Sequence, residues 1–81
     1  MKKVEIYSTP SCVYCNATKE FFKQNNIDYV DYNVASDLAK RQEMIEKSGQ
    51  MGVPVISIDG EIVVGFDRPR LTQLLDIAAK V

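Results

Sequence analysis

The spacing Cys12-Val13-Tyr14-Cys15 does most to restrict what this chain can fold into. These are its only two cysteines. A short apolar-rich segment, Val4-Glu5-Ile6-Tyr7, precedes them, and a segment able to coil into a helix follows. A Cys-x-x-Cys at a strand-to-helix junction is the layout of a thiol–disulfide redox site. The first cysteine then stands at a helix N-terminus, where unpaired amides and the positive end of the macrodipole favour a thiolate. The second stands one turn deeper, shielded and within bonding reach of the first.

Other readings of the pair are weaker. Free cysteines are often small buried residues, but the polar, turn-forming Ser8-Thr9-Pro10-Ser11 places this pair at an element boundary near the surface. A closed zinc site needs four ligands. The chain has no histidine and no further cysteine, which leaves only a metal site shared between chains. A structural disulfide across so short a loop restrains little of the unfolded chain. Without histidine there is no Cys–His dyad, so the backbone field and nearby charges must generate the thiolate.

Size and charge narrow the class. Eighty-one residues predict one domain over 1–81, with a small core that hides about 60% of the unfolded chain's surface. A net charge of −1 with intermixed signs argues against nucleic acid or an anionic membrane as the main partner. No apolar run approaches the roughly 20 residues of a membrane span. Glu5 interrupts the run after Met1-Lys2-Lys3, so no signal peptide is expected. A cytoplasmic protein is expected, in a compartment where paired thiols are catalytic or metal-binding more often than structural.

The pattern along the chain predicts closely spaced elements. Lys3 to Tyr7 reads as a strand. Ser11 can cap a helix from Cys12 to Gln24, with Val13, Ala17, Phe21 and Phe22 as its buried face, and Asn25-Asn26 ends it. Ile27 to Val34 reads as a second strand with an irregularity at Val30-Asp31. Ser36 or Asp37 caps a second helix, Leu38 to Lys47, with Leu38, Met44, Ile45 and the stem of Arg41 on its inner face. Gly49 ends it with a left-handed cap. Val53 to Ile58 forms a third strand, Asp59-Gly60 a two-residue hairpin turn, and Glu61 to Val64 a fourth strand. Asp67 caps a last helix, Pro69 sits in its first turn, and Leu71, Leu74, Leu75 and Ala78 make an apolar stripe. The order β-α-β-α-β-β-α implies an α/β protein: a parallel β-α-β unit extended by an antiparallel hairpin into a four-stranded mixed sheet flanked by three helices. The cysteines then lie at the C-terminal end of the first strand, where α/β sheets tend to bind ligands.

Taken together, these residues resemble the thioredoxin superfamily, specifically its small glutaredoxin branch, over nearly the whole chain. The resemblance is carried by Val4-Glu5-Ile6-Tyr7 leading to Cys12-Val13-Tyr14-Cys15, by Lys40-Arg41-Gln42-Glu43-Met44-Ile45 through Ser48-Gly49, by Val53-Pro54, and by Gly65-Phe66-Asp67. It implies a thioredoxin-like fold and a glutathione-dependent dithiol–disulfide oxidoreductase. In that role Cys12 is the nucleophile and Cys15 the resolving thiol, with glutathione as co-substrate and no tightly bound cofactor or metal. It also implies a cis peptide before Pro54 beside the reactive cysteine, with the Val53 main chain free to pair with an incoming peptide or thiol. Tyr14 matches an aromatic residue lining the substrate groove. Gly65, Phe66 and Asp67 match the segment that holds the γ-glutamyl end of glutathione. Pro54 as a strand-start proline, Tyr14 as a half-exposed helix residue and Asp67 as a plain helix cap are the ordinary alternatives.

Three positions depart from the family pattern. Val13 stands where proline is usual, Ser8 where a lysine pairs with the glycine carboxylate of glutathione, and Gly52 where threonine precedes Val-Pro. Gly65-Phe66-Asp67-Arg68-Pro69 also resembles the NrdH-type redoxins, which share the fold and draw electrons from thioredoxin reductase. The implied partners are glutathione and disulfide-containing proteins, with ribonucleotide reductase or thioredoxin reductase as candidates, acting on a monomer. An alternative of another class is an iron–sulfur module in which two chains pool their cysteines.

Overall fold

A computed structural model describes residues 3–75. Its elements are β1 Val4–Ser8, α1 Val13–Gln24, β2 Val30–Asn33, α2 Leu38–Ser48, β3 Val55–Ile58, β4 Glu61–Val64 and α3 Arg68–Leu74. The order is the one predicted. The four strands form one mixed sheet in the order β2-β1-β3-β4. β1 pairs parallel with β2 and antiparallel with β3, and β3 pairs antiparallel with β4.

Local chemistry accounts for the junctions. Asp59 and Gly60 adopt positive φ of 49° and 90°, the pair of left-handed residues that a tight hairpin requires. Asp59 also accepts from the Lys3 N–H at 2.8 Å. The Asp37 and Asp67 carboxylates cap α2 and α3 by accepting from the Lys40 and Arg70 N–H groups. Gly49, at φ 75°, closes α2 in the left-handed conformation, which costs glycine nothing.

The sheet is covered on both sides. Val4, Ile6, Ile56, Ile58 and Val63 on one face pack with Phe21 and Phe22 of α1 and Leu71 of α3. On the other face Tyr7 and Val55 pack with Val34 and with Met44 of α2.

Five local expectations are corrected. The cap of α1 is Cys12, not Ser11. Val13 in its first turn is 76% exposed, and the buried stripe runs instead through Cys15, Thr18, Phe21 and Phe22. Thr18 is tolerated there because its hydroxyl donates to the Tyr14 carbonyl at 2.7 Å. Leu38 is 73% exposed because it opens α2 before that helix reaches the sheet, leaving Met44 as its buried residue. β2 is shorter than predicted: Ile27 and Tyr29 pack against the first core cluster ahead of the strand, and pairing begins only at Val30 opposite Glu5. β3 starts at Val55, after a proline that has no N–H to give a ladder. Ala78 lies outside the described residues.

Candidate active site

The end of β1, the start of β3 and the end of β4 meet at one end of the sheet, so the turn to Cys12 leaves from the same end at which Val53-Pro54 enters β3 and Gly65 leaves β4. Tyr7 faces Val55 and Val55 faces Val64 across the strands. Pro54, just ahead of β3, is buried and follows a cis peptide from Val53. Its carbonyl accepts from the Gly65 N–H at 2.8 Å. That bond joins the Gly65-Phe66-Asp67 segment to the proline. Phe66 in turn stands edge-on to Phe21 of α1, ring centroids 5.9 Å apart.

Cys12 and Cys15 are joined as a disulfide, with Cα atoms 5.2 Å apart. Cys12 is extended at φ −83°, ψ 113°, and its sulfur is the helix cap, accepting from the Cys15 N–H at 3.1 Å. Cys15 is fully buried, whereas Cys12 is only partly covered. The asymmetry expected of the pair is therefore present: one sulfur faces outward on an N–H donor, the other lies beneath. Tyr14, at 67% exposure, and Val13 flank the outer sulfur in sequence. Val53, Gly65 and Phe66 are partly covered, and Asp67 is exposed with its carboxylate engaged in capping α3.

Three polar arrangements near this end escaped the sequence reading. The buried Ser8 hydroxyl donates to Asp31 at 2.6 Å, and Asp31 is paired with Lys19 of α1 at 2.7 Å. The side chain at position 8 is thus turned into the fold. The Gln50 side-chain amide closes on Gly52, accepting from its N–H at 2.9 Å and donating to its carbonyl at 3.0 Å. Beneath β1, the Tyr7 hydroxyl donates to Glu43, which also receives Lys40 at 3.4 Å and Lys47 at 3.9 Å. Burial, then the hydrogen bond and charge of Glu43, push the Tyr7 phenol well above its ordinary value. The hydrogen bond to Glu5, with burial, raises Tyr32 to about 12. The Tyr7 hydroxyl, ahead of the lysines, holds Glu43 below the usual carboxylate range. Only a faint signal marked these groups in sequence, because each is a single polar residue whose partner the fold supplies.

A glutaredoxin family model matches residues 4–63. The chain belongs to the glutaredoxin family. It is similar to an uncharacterised glutaredoxin-like 8.6 kDa protein in the rubredoxin operon of Clostridium pasteurianum, 52% identical over 73 residues that cover 90% of this chain and 97% of the relative. It is 36% identical to glutaredoxin 3 of Escherichia coli over 67 residues, 83% of this chain and 81% of that one. Among solved structures it superposes on the thioredoxin-like protein BC3987 with a TM-score of 0.84 at 39% identity, covering 89% of this chain and 99% of that one. The protein is thus a thiol–disulfide oxidoreductase with Cys12 and Cys15 as its redox pair. No helix among the described residues is long and apolar enough to cross a membrane.

Proposed function

We propose that this glutaredoxin reduces protein disulfides and glutathione mixed disulfides, and that glutathione supplies its electrons. The observation that carries this reading is the Gly65 N–H bond to the Pro54 carbonyl, which ties the Gly65-Phe66-Asp67 segment to the proline, as a groove for glutathione shared by these two segments would require. A peptide thiol could there meet the Val53 main chain at one end and the Gly65 and Asp67 groups at the other, with Tyr14 and Phe66 along its flank. The chain then works as one domain over 1–81, as a monomer in the cytoplasm.

The steps follow from the two sulfurs. The Cys12 thiolate attacks one sulfur of the substrate disulfide, a Cys12–substrate bond forms, and the other substrate sulfur leaves as a thiolate that takes up a proton. Cys15, deprotonated, attacks the Cys12 sulfur. The intramolecular disulfide forms, the second substrate thiolate departs, and the substrate has gained two electrons. One glutathione thiolate then opens the Cys12–Cys15 disulfide onto Cys12. A second attacks the glutathione sulfur, leaving glutathione disulfide and the reduced pair. On reduction, the Cys15 N–H that now reaches the Cys12 sulfur favours a thiolate there.

Ser8 and Gly52 favour a second reading, the NrdH-type redoxin. Ser8 is buried on Asp31 and offers no cation for a glycine carboxylate, and Asp67-Arg68-Pro69 continues the segment shared with that group. The test gives oxidised protein NADPH with either glutathione and glutathione reductase, or thioredoxin reductase alone. Turnover with glutathione supports the first reading. Turnover only with thioredoxin reductase replaces it with the second and leaves Asp67 as a helix cap. Cys12→Ser should abolish turnover with either donor, and Cys15→Ser should accumulate mixed disulfides visible by mass spectrometry.

A further inference from the structure

The loop between α2 and the cis peptide is held by side chains. Ser48 Oγ lies 2.7 Å from the Met44 carbonyl and 3.0 Å from the Gln50 carbonyl, so its one proton serves either. The same oxygen accepts from the Gln50 N–H at 3.3 Å. Gln50 then folds over Gly52 and takes both its main-chain N–H and its carbonyl. A primary amide presents an acceptor and a donor side by side, so Gln50 pairs with Gly52 much as a neighbouring strand would. The Gly52 main chain is thereby occupied. Among the described residues no hydrogen bond engages the Val53 main chain next to it. The Met51 side chain is turned outward at 61% exposure.

Gly52 is what makes the closure possible. A Cβ placed there would stand 2.8 Å from Gln50 Oε1, inside the contact distance of the two atoms. The obstructing atom is the far end of a flexible side chain, so an added methyl would displace Gln50 rather than the backbone. Positions 50 and 52 therefore constrain one another: either the amide closes or position 52 carries a side chain.

We propose that Gln50 is a positioning residue for the reaction. By occupying the Gly52 main chain it leaves Val53 as the peptide unit that an incoming extended disulfide-bearing segment pairs with, and so fixes the register at which the substrate sulfur reaches Cys12. This rests on the reading that the Val53 main chain meets the substrate.

The test uses prereduced full-length protein and a peptide disulfide in single turnover, so that no electron donor enters. Limiting rate and half-saturating peptide concentration are measured separately for wild type, Gln50→Ala, Gln50→Glu, Gly52→Ala and the Gln50→Ala/Gly52→Ala double variant. Alkylation of Cys12 by iodoacetamide, a reagent too small to need main-chain pairing, is followed in each. Gln50→Ala should raise the half-saturating concentration about fivefold, with the limiting rate within about twofold and alkylation unchanged. Gly52→Ala should do the same. The double variant should be no worse than the worse single, because both remove one interaction. Gln50→Glu keeps the acceptor for the Gly52 N–H but loses the donor, and should fall between. An unchanged half-saturating concentration in Gln50→Ala, or effects that multiply in the double variant, would overturn the proposal while leaving the function reading intact. Wild type that reduces no peptide disulfide would overturn both.

Discussion

Where α1 and α3 cover the sheet, the core cluster is hydrocarbon and aryl, with Val4, Ile6, Phe21, Phe22, Ile56, Ile58, Val63 and Leu71 all buried, and a single polar chain, Ser8–Asp31–Lys19, joins β1, β2 and α1 on that side. Where α2 covers it, the buried set is smaller, with Tyr7, Val34, Met44 and Val55, and a polar web completes the layer. Tyr7 donates to Glu43 and Tyr32 to Glu5. The two tyrosine rings lie 5.2 Å apart, and Lys40 sits 4.2 Å over the Tyr32 ring. Burial of apolar area scales with area and is indifferent to direction and pH. A web of phenols, carboxylates and ammonium groups is directional and titrates. The first face should therefore carry most of the stability, and the second should carry its dependence on conditions.

The largest expected effect is on the dry face. Phe22→Ala should cost about 3–5 kcal/mol in urea unfolding, by lost transfer energy and the cavity left behind. A loss near that of a surface substitution would break the contrast. Tyr7→Phe keeps the ring and removes one hydroxyl, so about 1 kcal/mol is expected at neutral pH.

The acid and alkaline limbs sharpen the same comparison. Glu43 is held below its ordinary value of 4.5 in the fold. Its contribution is complete above that value and is lost as pH falls through the folded one. The stability gap between wild type and Tyr7→Phe should accordingly close on acidification, and a gap that persisted at low pH would place the effect in packing instead. Tyr7 and Tyr32 are raised, so their contribution is complete below about pH 10 and declines as pH climbs through their folded values. Ultraviolet titration should find these two of the four tyrosines ionising late. The smallest effect is Lys40→Ala, at most about 0.5 kcal/mol and reduced further by salt, because the Lys40–Glu43 pair is partly solvated.

Much of this was legible in the sequence wherever a rule is local. The hairpin at Asp59-Gly60, the left-handed Gly49 and the Asp67 cap depend on their own residues, and each formed where the residues said. First turns were less legible. Val13 and Leu38 are apolar and in phase with their helices, yet whether a first-turn residue is covered depends on how the helix enters the layer, which sequence spacing does not encode. The cap at Cys12 was missed because serine is the commoner capping residue and a sulfur acceptor is unusual. Within the site, the cysteines, Val53-Pro54 and Gly65-Phe66-Asp67 were marked by motif. The Ser8–Asp31–Lys19 chain and the Gln50–Gly52 closure were not, since the first joins three separate elements and the second depends on the empty Cα of a glycine.

The unlike faces bear on where Cys12 stands. β1 is a central strand with Val4 and Ile6 turned to one side and Glu5 and Tyr7 to the other. A one-residue slip would press Glu5 and the Tyr7 hydroxyl into hydrocarbon and turn Val4 and Ile6 toward carboxylates and ammonium groups. Each side alone would resist that slip, and both resist it together, as a key with different wards on its two edges enters a lock only one way. The strand ends at Ser8, whose carbonyl is fixed to Val34 at 2.9 Å, and the reactive turn departs from there. The position of the sulfur at the end of the sheet is thus set by the mismatch between the two layers that hold β1 in register.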